Sequence, residues 1–326
     1  MTIPETRKIE DGEIVTAPGI YAMSLGWYHQ DCADGPSISS SGLNTMWSQS
    51  PAHYWVTSAL NPKRIERPRK PEFDFGSAAH HLLLLGRKGF DKQYALRPDK
   101  WSSWRTDAAQ AWKVTKEKEG FTVITVEDLE NIAGMAAALA AHPVIKEGAL
   151  DGLVERSLIW TDPETGVWVK SRPDAIPTDD GVFSDLKTTT SVSDDNLQRS
   201  IGNFGYHAQA ALIGQASKHV MNVDMESFSL IFVEKAPPWC VRVITLRDDD
   251  LERGAGQNRA MVHRFKECIA TGVWPGPGDD SDAELMGMQP YLQNRIDARL
   301  GVVLPEIEQA LYDDEQMGDD SEDQGF

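Results

Sequence analysis

The stretch from Ser171 to Thr189, SRPDAIPTDDGVFSDLKTT, sets the tightest limits on how this chain can fold. Residues 166–176 alternate well enough to form a strand ending near Asp174, and residues 181–188 read as the next strand. Asp179, Asp180 and Gly181 supply turn chemistry between them, so the two are expected to form a hairpin whose strand ends share one place. Successive side chains of an extended segment point to opposite faces. Phe183, Asp185 and Lys187 therefore share one face, while Val182 and Leu186 face away, and the charged pair stands roughly 6–7 Å apart.

Two carboxylates beside an ammonium group suit a particular chemistry. Asp174 and Asp185 are hard oxygen donors of the kind that select Mg2+, with Mn2+ as the substitute. A cation held there neutralises charge on a phosphodiester in its transition state and makes hydroxide available near neutral pH. Lys187 could hold or help deprotonate the attacking water and stabilise developing negative charge. An Asp-x-Lys tripeptide alone is also what an ordinary surface ion pair beside a turn looks like, so the wider chain must decide.

Further motifs follow in order. Tyr28-His29, SISSSGL (37–43) and SPAHY (50–54) precede GSAAH (76–80), which opens an apolar helical run through Leu85. Glu155 sits in the strand-like LVERSLIW, and Tyr206 and Gln209 lie in the helical FGYHAQAALIGQA. Together with SRPD and DLKTT, this ordered set resembles the PD-(D/E)XK nucleases, and more narrowly the exodeoxyribonuclease VIII (RecE-type) branch of phages and prophages. The resemblance spans about Tyr28 to Val233.

Carried over by position, the resemblance implies that Asp174, Asp185 and the main-chain carbonyl of Leu186 bind metal and that Lys187 is catalytic. Gln209 would orient Lys187 or a phosphate. His80 resembles a helical histidine near a second metal position, with His81 its adjacent competitor, and Glu155 resembles an acidic residue on the preceding strand. Related nucleases often carry tyrosine four residues after the glutamine. Here that place is Ile213, and Tyr206, three residues before Gln209 on the same helical face, would substitute. The resemblance also implies a DNA exonuclease acting 5′ to 3′ on linear duplex ends and leaving 3′ single strands for homologous recombination. It further implies a homo-oligomeric ring and a single-strand annealing protein as partner. An endonuclease or single-strand trimming enzyme of the same fold, or a catalytically silent DNA-binding module, are the alternative readings.

Other features bound the answer. Of 326 residues 40% are hydrophobic, enough for one substantial core, and nowhere do about 18 consecutive apolar residues occur, so no membrane span is expected. The N-terminal residues MTIPETRKIEDGE lack a basic-then-apolar leader, which leaves a cytoplasmic location in a bacterial host as the expectation. Cys32, Cys240 and Cys268 are isolated, supporting neither a disulfide framework nor a zinc or iron–sulfur site. No GxxxxGK[ST] occurs, so ATP-driven unwinding would need another chain.

Periodicity predicts helices over 41–46, 51–59, 75–85, 107–118 and 126–141, then a three-strand meander over 153–160, 167–174 and 182–188. A helix over 204–220, strands over 227–233 and 241–246 and a closing helix over 249–271 complete the pattern. The fold class is α/β: a restriction-endonuclease-like α-β-β-β-α-β core with a mixed central sheet flanked by helices and an N-terminal helical elaboration. Residues 1–274 are expected to form one nuclease domain, 275–312 a linker and helical appendage, and 313–326 a disordered acidic tail.

The net charge of −18 argues against a nucleic-acid partner until its distribution is considered, because −12 of it belongs to residues 279–326. Residues 61–105 carry eleven Lys or Arg against five Asp or Glu. Local basic patches, rather than whole-chain charge, attract phosphates. Within PKRIERPRKPE (62–72), Lys63, Arg64, Arg67, Arg69 and Lys70 form a candidate DNA clamp on an exposed loop.

Overall fold

Serine hydroxyls start the first helices of this protein. Ser24, Ser39 and Ser50 cap α1 (Leu25–Tyr28), α2 (Ser40–Ser48) and α3 (Pro51–Thr57), each accepting from a main-chain N–H three residues on. Between them run β1 (Thr6–Lys8), β2 (Gly19–Ala22) and β3 (Ser37–Ser39). The N-terminal elaboration is therefore not purely helical: strands of three or four residues are too short for alternation to register in a sequence. The computed structural model describes residues 3–65, 78, 81–82, 86–178, 181–278, 283 and 285–301. Most of the helix expected over 75–85, His80 and the 66–70 part of the basic loop lie outside these residues, as do Asp179 and Asp180.

Next come β4 (Tyr94–Leu96) and β5 (Thr122–Ile124), a parallel pair around α4 (Asp107–Lys118). α5 (Val126–Ala141) begins in a reciprocal capping box of Thr125 and Asp128 and is followed by α6 (Pro143–Lys146). The expected meander is then replaced by shorter pieces. These are β6 (Leu153–Val154), β7 (Ser157–Thr161), β8 (Trp168–Ser171), β9 (Ala175–Ile176) and β10 (Val182–Thr189). Glu155 has φ of 51°, a left-handed conformation that breaks the strand predicted through 153–160.

Pairing differs from expectation as well. A five-stranded sheet runs β1-β2-β7-β8-β3, with β7 and β8 antiparallel and β3 parallel to β8. β10 belongs instead to a three-stranded sheet with β11 (Ser227–Glu234) and β12 (Val241–Thr245). It pairs with β11 in parallel, so the predicted hairpin between the Asp174 and Asp185 strands is absent. Parallel partners need a crossover, which α7 (Asp194–Asn203) and α8 (Tyr206–Met221) provide. α7 was not expected, its ten residues burying only Leu197.

The three-stranded sheet is apolar on both faces, as a parallel pair covered by helices should be. Phe183, Phe228, Leu230 and Phe232 pack toward Ala210, Ile213 and Ala216 of α8. Leu186, Ile231 and Val233 pack toward Ile132, Met135 and Leu139 of α5. α9 (Asp248–Thr271) lies on α8, where Gly254 allows close approach: a Cβ there would come within 2.6 Å of the His207 carbonyl oxygen. Residues 1–277 form one unit and residues 278–326 a second. In the latter, α10 (Pro290–Leu300) starts on a proline and ends at Gly301 in the left-handed region. Among the described residues no helix is long and apolar enough to cross a membrane.

Candidate active site

The outer edge of β10 carries the first contact of the site. Because β10 bonds to β11 along its other edge, the N–H of Leu186 is available to donate to Oδ2 of Asp174, at 2.7 Å. Within an extended strand a residue's N–H and C=O leave on the same side, so the Leu186 carbonyl also faces the Asp174 edge. Asp174 itself sits in the bend between β8 and β9, and its carbonyl oxygen accepts from the N–H of Glu155 at 2.9 Å. Asp174 and Glu155 are thereby locked side by side.

Period two then decides what β10 presents. Asp185 is 1% exposed and forms an ion pair with Lys187, two residues along the same face. Its Oδ1 accepts from Nε2 of Gln209 at 3.4 Å. Burial by itself would lower the Lys187 pKa, but the neighbouring carboxylates of Asp185 and Asp174 outweigh it and push the value up to about 12. Lys187 is thereby held against these carboxylates as an ion-pair partner and hydrogen-bond donor. Its Nζ lies 4.9 Å from the ring centroid of Tyr206. Tyr206 and Gln209 are brought to β10 by the start of α8, where Gly205 takes φ of 67°. Burial, chiefly, raises the Tyr206 hydroxyl above its ordinary pKa.

Glu155 is held by two basic side chains. Its Oε1 lies 3.3 Å from Nε2 of His81, and its Oε2 accepts from Arg172 at 3.4 Å. Burial pushes its carboxyl up, yet His81 and then Arg172 outweigh this and leave the pKa below the usual range. Nδ1 of His81 meets the Tyr94 hydroxyl at 2.5 Å. The helical histidine placed at Glu155 is therefore His81, while His80 lies outside the described residues. Arg172 also donates to the Met23 carbonyl and the Ser157 hydroxyl. From sequence His81 entered only as the competitor of His80, and Arg172 was not singled out, although it stands two residues before Asp174 in the same motif and a period-two reading would have found it.

A cavity of about 350 Å3 is lined by His81, Glu155, Arg172, Asp174 and Gln209, with exposed Phe204 at its wall. Asp185 and Lys187 are not part of its lining, in keeping with their burial. A second cavity of about 600 Å3 shares His81, Glu155 and Arg172 and continues past Gln93 and Tyr94 to Gly120 and Thr122. Of the basic loop, Lys63 and Arg64 are exposed, and Arg64 donates to Oε1 of Gln30 at 2.8 Å.

Among the described residues no three His, Cys, Asp or Glu side chains converge on one point. The donor set near Asp174 is instead two carboxylates and a main-chain carbonyl. That fits a hard divalent cation such as Mg2+, which keeps several waters and takes only one or two protein carboxylates.

One family of proteins, described as PDDEXK-like domain of unknown function (DUF3799), matches residues 39–284. The chain belongs to this PDDEXK-like family. No curated protein matches it. Among solved structures, the "Putative exonuclease" from Eubacterium rectale is 13% identical, with a TM-score of 0.53 over 79% of this chain and 92% of that one. That likeness places the PDDEXK-like protein in the same mixed α/β fold. A phage related exonuclease from Haemophilus somnus 129PT is 11% identical, with a TM-score of 0.32 over 72% of this chain and 96% of its own. The alkaline exonuclease of Laribacter hongkongensis is 12% identical, with a TM-score of 0.27 over 51% of this chain and 84% of its own.

Proposed function

We propose that this PDDEXK-like protein is a divalent-metal-dependent exonuclease that hydrolyses linear double-stranded DNA. The reading rests above all on the meeting of Asp174, Asp185 and Lys187, joined through Leu186, in a chain whose family carries that motif in its name. Asp174, Asp185 and the Leu186 carbonyl would hold Mg2+ or Mn2+, and Glu155 would extend the acidic wall toward a second position. When bound, such an ion supplies charge neutralisation at the phosphate and a lowered pKa for water.

The chain's own groups do the positioning. Lys187, ion-paired with Asp185, donates a hydrogen bond to the attacking water or to a phosphate oxygen as negative charge develops. Gln209 holds the Asp185 carboxylate in orientation, and the Tyr206 ring limits where the Lys187 ammonium can move. Arg172, braced by Glu155 and two further acceptors, lines the cavity as a fixed guanidinium that can meet a phosphate. A polarity of 5′ to 3′, a 3′ single-stranded product for recombination, a ring of subunits and an annealing partner are carried by the resemblance to RecE-type enzymes.

Linear duplex labelled at its 5′ or its 3′ end in turn, incubated with Mg2+, tests the reading. Release of the 5′ label first supports it. Cutting of covalently closed circles would instead make the protein an endonuclease, and loss of neither label with intact DNA binding would make it a silent binding module.

A further inference from the structure

Trp101, Trp104 and Trp112 gather where the fold has little core to fill. The rings of Trp104 and Trp112 lie 6.4 Å apart and within 16° of parallel, and Trp101 sits 5.9 Å from Trp112 at 57°. None of them belongs to the three apolar clusters of the domain, and each remains partly exposed. Within α4, which carries Trp112, only Ala109 is buried. Trp104 and Trp112 thus stack on one another near the surface instead of on the interior, with Trp101 tilted against Trp112.

Cations crowd the same place. The Arg97 guanidinium lies 5.3 Å from the Trp104 ring centroid, Lys113 Nζ 5.5 Å from the same ring, and Lys100 Nζ 4.4 Å from that of Trp101. Residues 86–118 hold nine Lys or Arg against four Asp or Glu, in a chain of net charge −18. The segments on either side of this patch reach the candidate site. The second cavity runs from Glu155 and Arg172 to Tyr94 and Gly120, and Arg97 directly follows β4 while Gly120 lies just past α4.

We propose that Trp101, Trp104 and Trp112, with Arg97, Lys100 and Lys113, form a stacking platform for single-stranded DNA. The strand would be the one spared when its complement is hydrolysed. An unpaired strand exposes base faces that stack on indoles whatever the sequence, while its phosphates meet the flanking cations. A duplex hides those faces, so the platform selects single strands. The source of the strand rests on the nuclease reading, whereas the capacity to bind it does not.

The test is fluorescence anisotropy of a labelled oligothymidine and of a labelled blunt duplex, titrated with the full chain in EDTA so that neither is cut. Trp104→Ala and, at an exposed position, Lys100→Glu are each expected to weaken oligothymidine binding about fivefold or more, the loss of one stacking face or phosphate contact. Trp104→Phe should restore most of it, duplex affinity should stay near wild type, and thermal melting of each variant shows that the fold is kept. Wild-type protein that ignores oligothymidine, folded variants that bind it unchanged, or equal losses for both probes would overturn the proposal. If wild type fails to cut duplex in Mg2+ but Trp104→Ala still loses oligothymidine, the platform stands and the nuclease reading falls. If cutting is seen and oligothymidine binding is indifferent to Trp104, the platform alone falls.

Discussion

The N–H of Leu186 donates to the Asp174 carboxylate at 2.7 Å, a hydrogen bond that lies outside the ladder of either sheet. It fixes Asp174, carried by the segment after β8, against the strand that carries Asp185. The separation of these two carboxylates is therefore a property of how two sheets meet, not of any hairpin.

Removing the charge of Asp185 or Lys187 should stop hydrolysis while leaving DNA binding. Asp185→Asn and Lys187→Ala are each expected to lower the cleavage rate about 100-fold or more, read from end-labelled duplex. Lys187→Ala should also cost roughly 3–5 kcal/mol in denaturant melts, because Asp185 is left buried without its ammonium partner. The double variant Asp185→Asn with Lys187→Met should regain much of that stability and none of the activity.

Cation binding should be visible without catalysis. Mn2+ at a hundred times its dissociation constant is expected to stabilise wild-type protein by about 2.7 kcal/mol, and Asp174→Asn should lose most of that shift in thermal melts. An equal shift in both proteins would move the cation elsewhere.

Gly205 should be intolerant of a side chain. Its φ of 67° favours glycine, and an added Cβ would lie 2.4 Å from Oδ1 of Asn44. Gly205→Ala is expected to cost about 1–2 kcal/mol for the backbone alone. Since α8 starts there with Tyr206 and then Gln209, turnover should fall by more than stability does, which kcat and melting measured together will separate.

Away from the site, Asp162 gives a pH signature. It accepts from the N–H and hydroxyl of Thr165 at 2.8 and 2.7 Å and from Arg259 at 3.0 Å, joining the β7–β8 turn to α9. Burial pushes its carboxyl up, but Thr165 and then Arg259 outweigh this and hold the pKa below 3.8. The native state thus binds its proton less readily than the unfolded chain. The stability this contributes is present in full above the unfolded value and is lost as pH falls through the folded one. Asp162→Asn should cost about 1–2 kcal/mol near neutral pH, and the gap from wild type should close as acid is added, measured by denaturant melts across pH.

Much of the site was legible because it obeys short periods. Asp185 and Lys187 share a face of β10 through strict alternation, and Tyr206 and Gln209 share one of α8 at three-residue spacing. What alternation cannot convey is which strand lies beside which. β10 looks like the return arm of a hairpin, yet its partner β11 arrives after a two-helix crossover, a choice made by burial on both faces of Leu186 and Phe183. Glu155 was placed within a continuous strand because nothing in a glutamate announces a left-handed turn; its backbone bond to Asp174 and its His81 and Arg172 contacts accompany that geometry. His81 could be named only as the competitor of His80 for a similar reason, since adjacent helical histidines differ only in angular phase, which tertiary packing decides.

Asp174 hangs from the region of the five-stranded sheet and Asp185 from the three-stranded one. A slip of about an ångström between these layers would spread the two carboxylates while leaving every ladder intact, and displacements of that size are enough to cost catalysis dearly. Warming or mild denaturant should therefore extinguish turnover while circular dichroism still reports a folded chain.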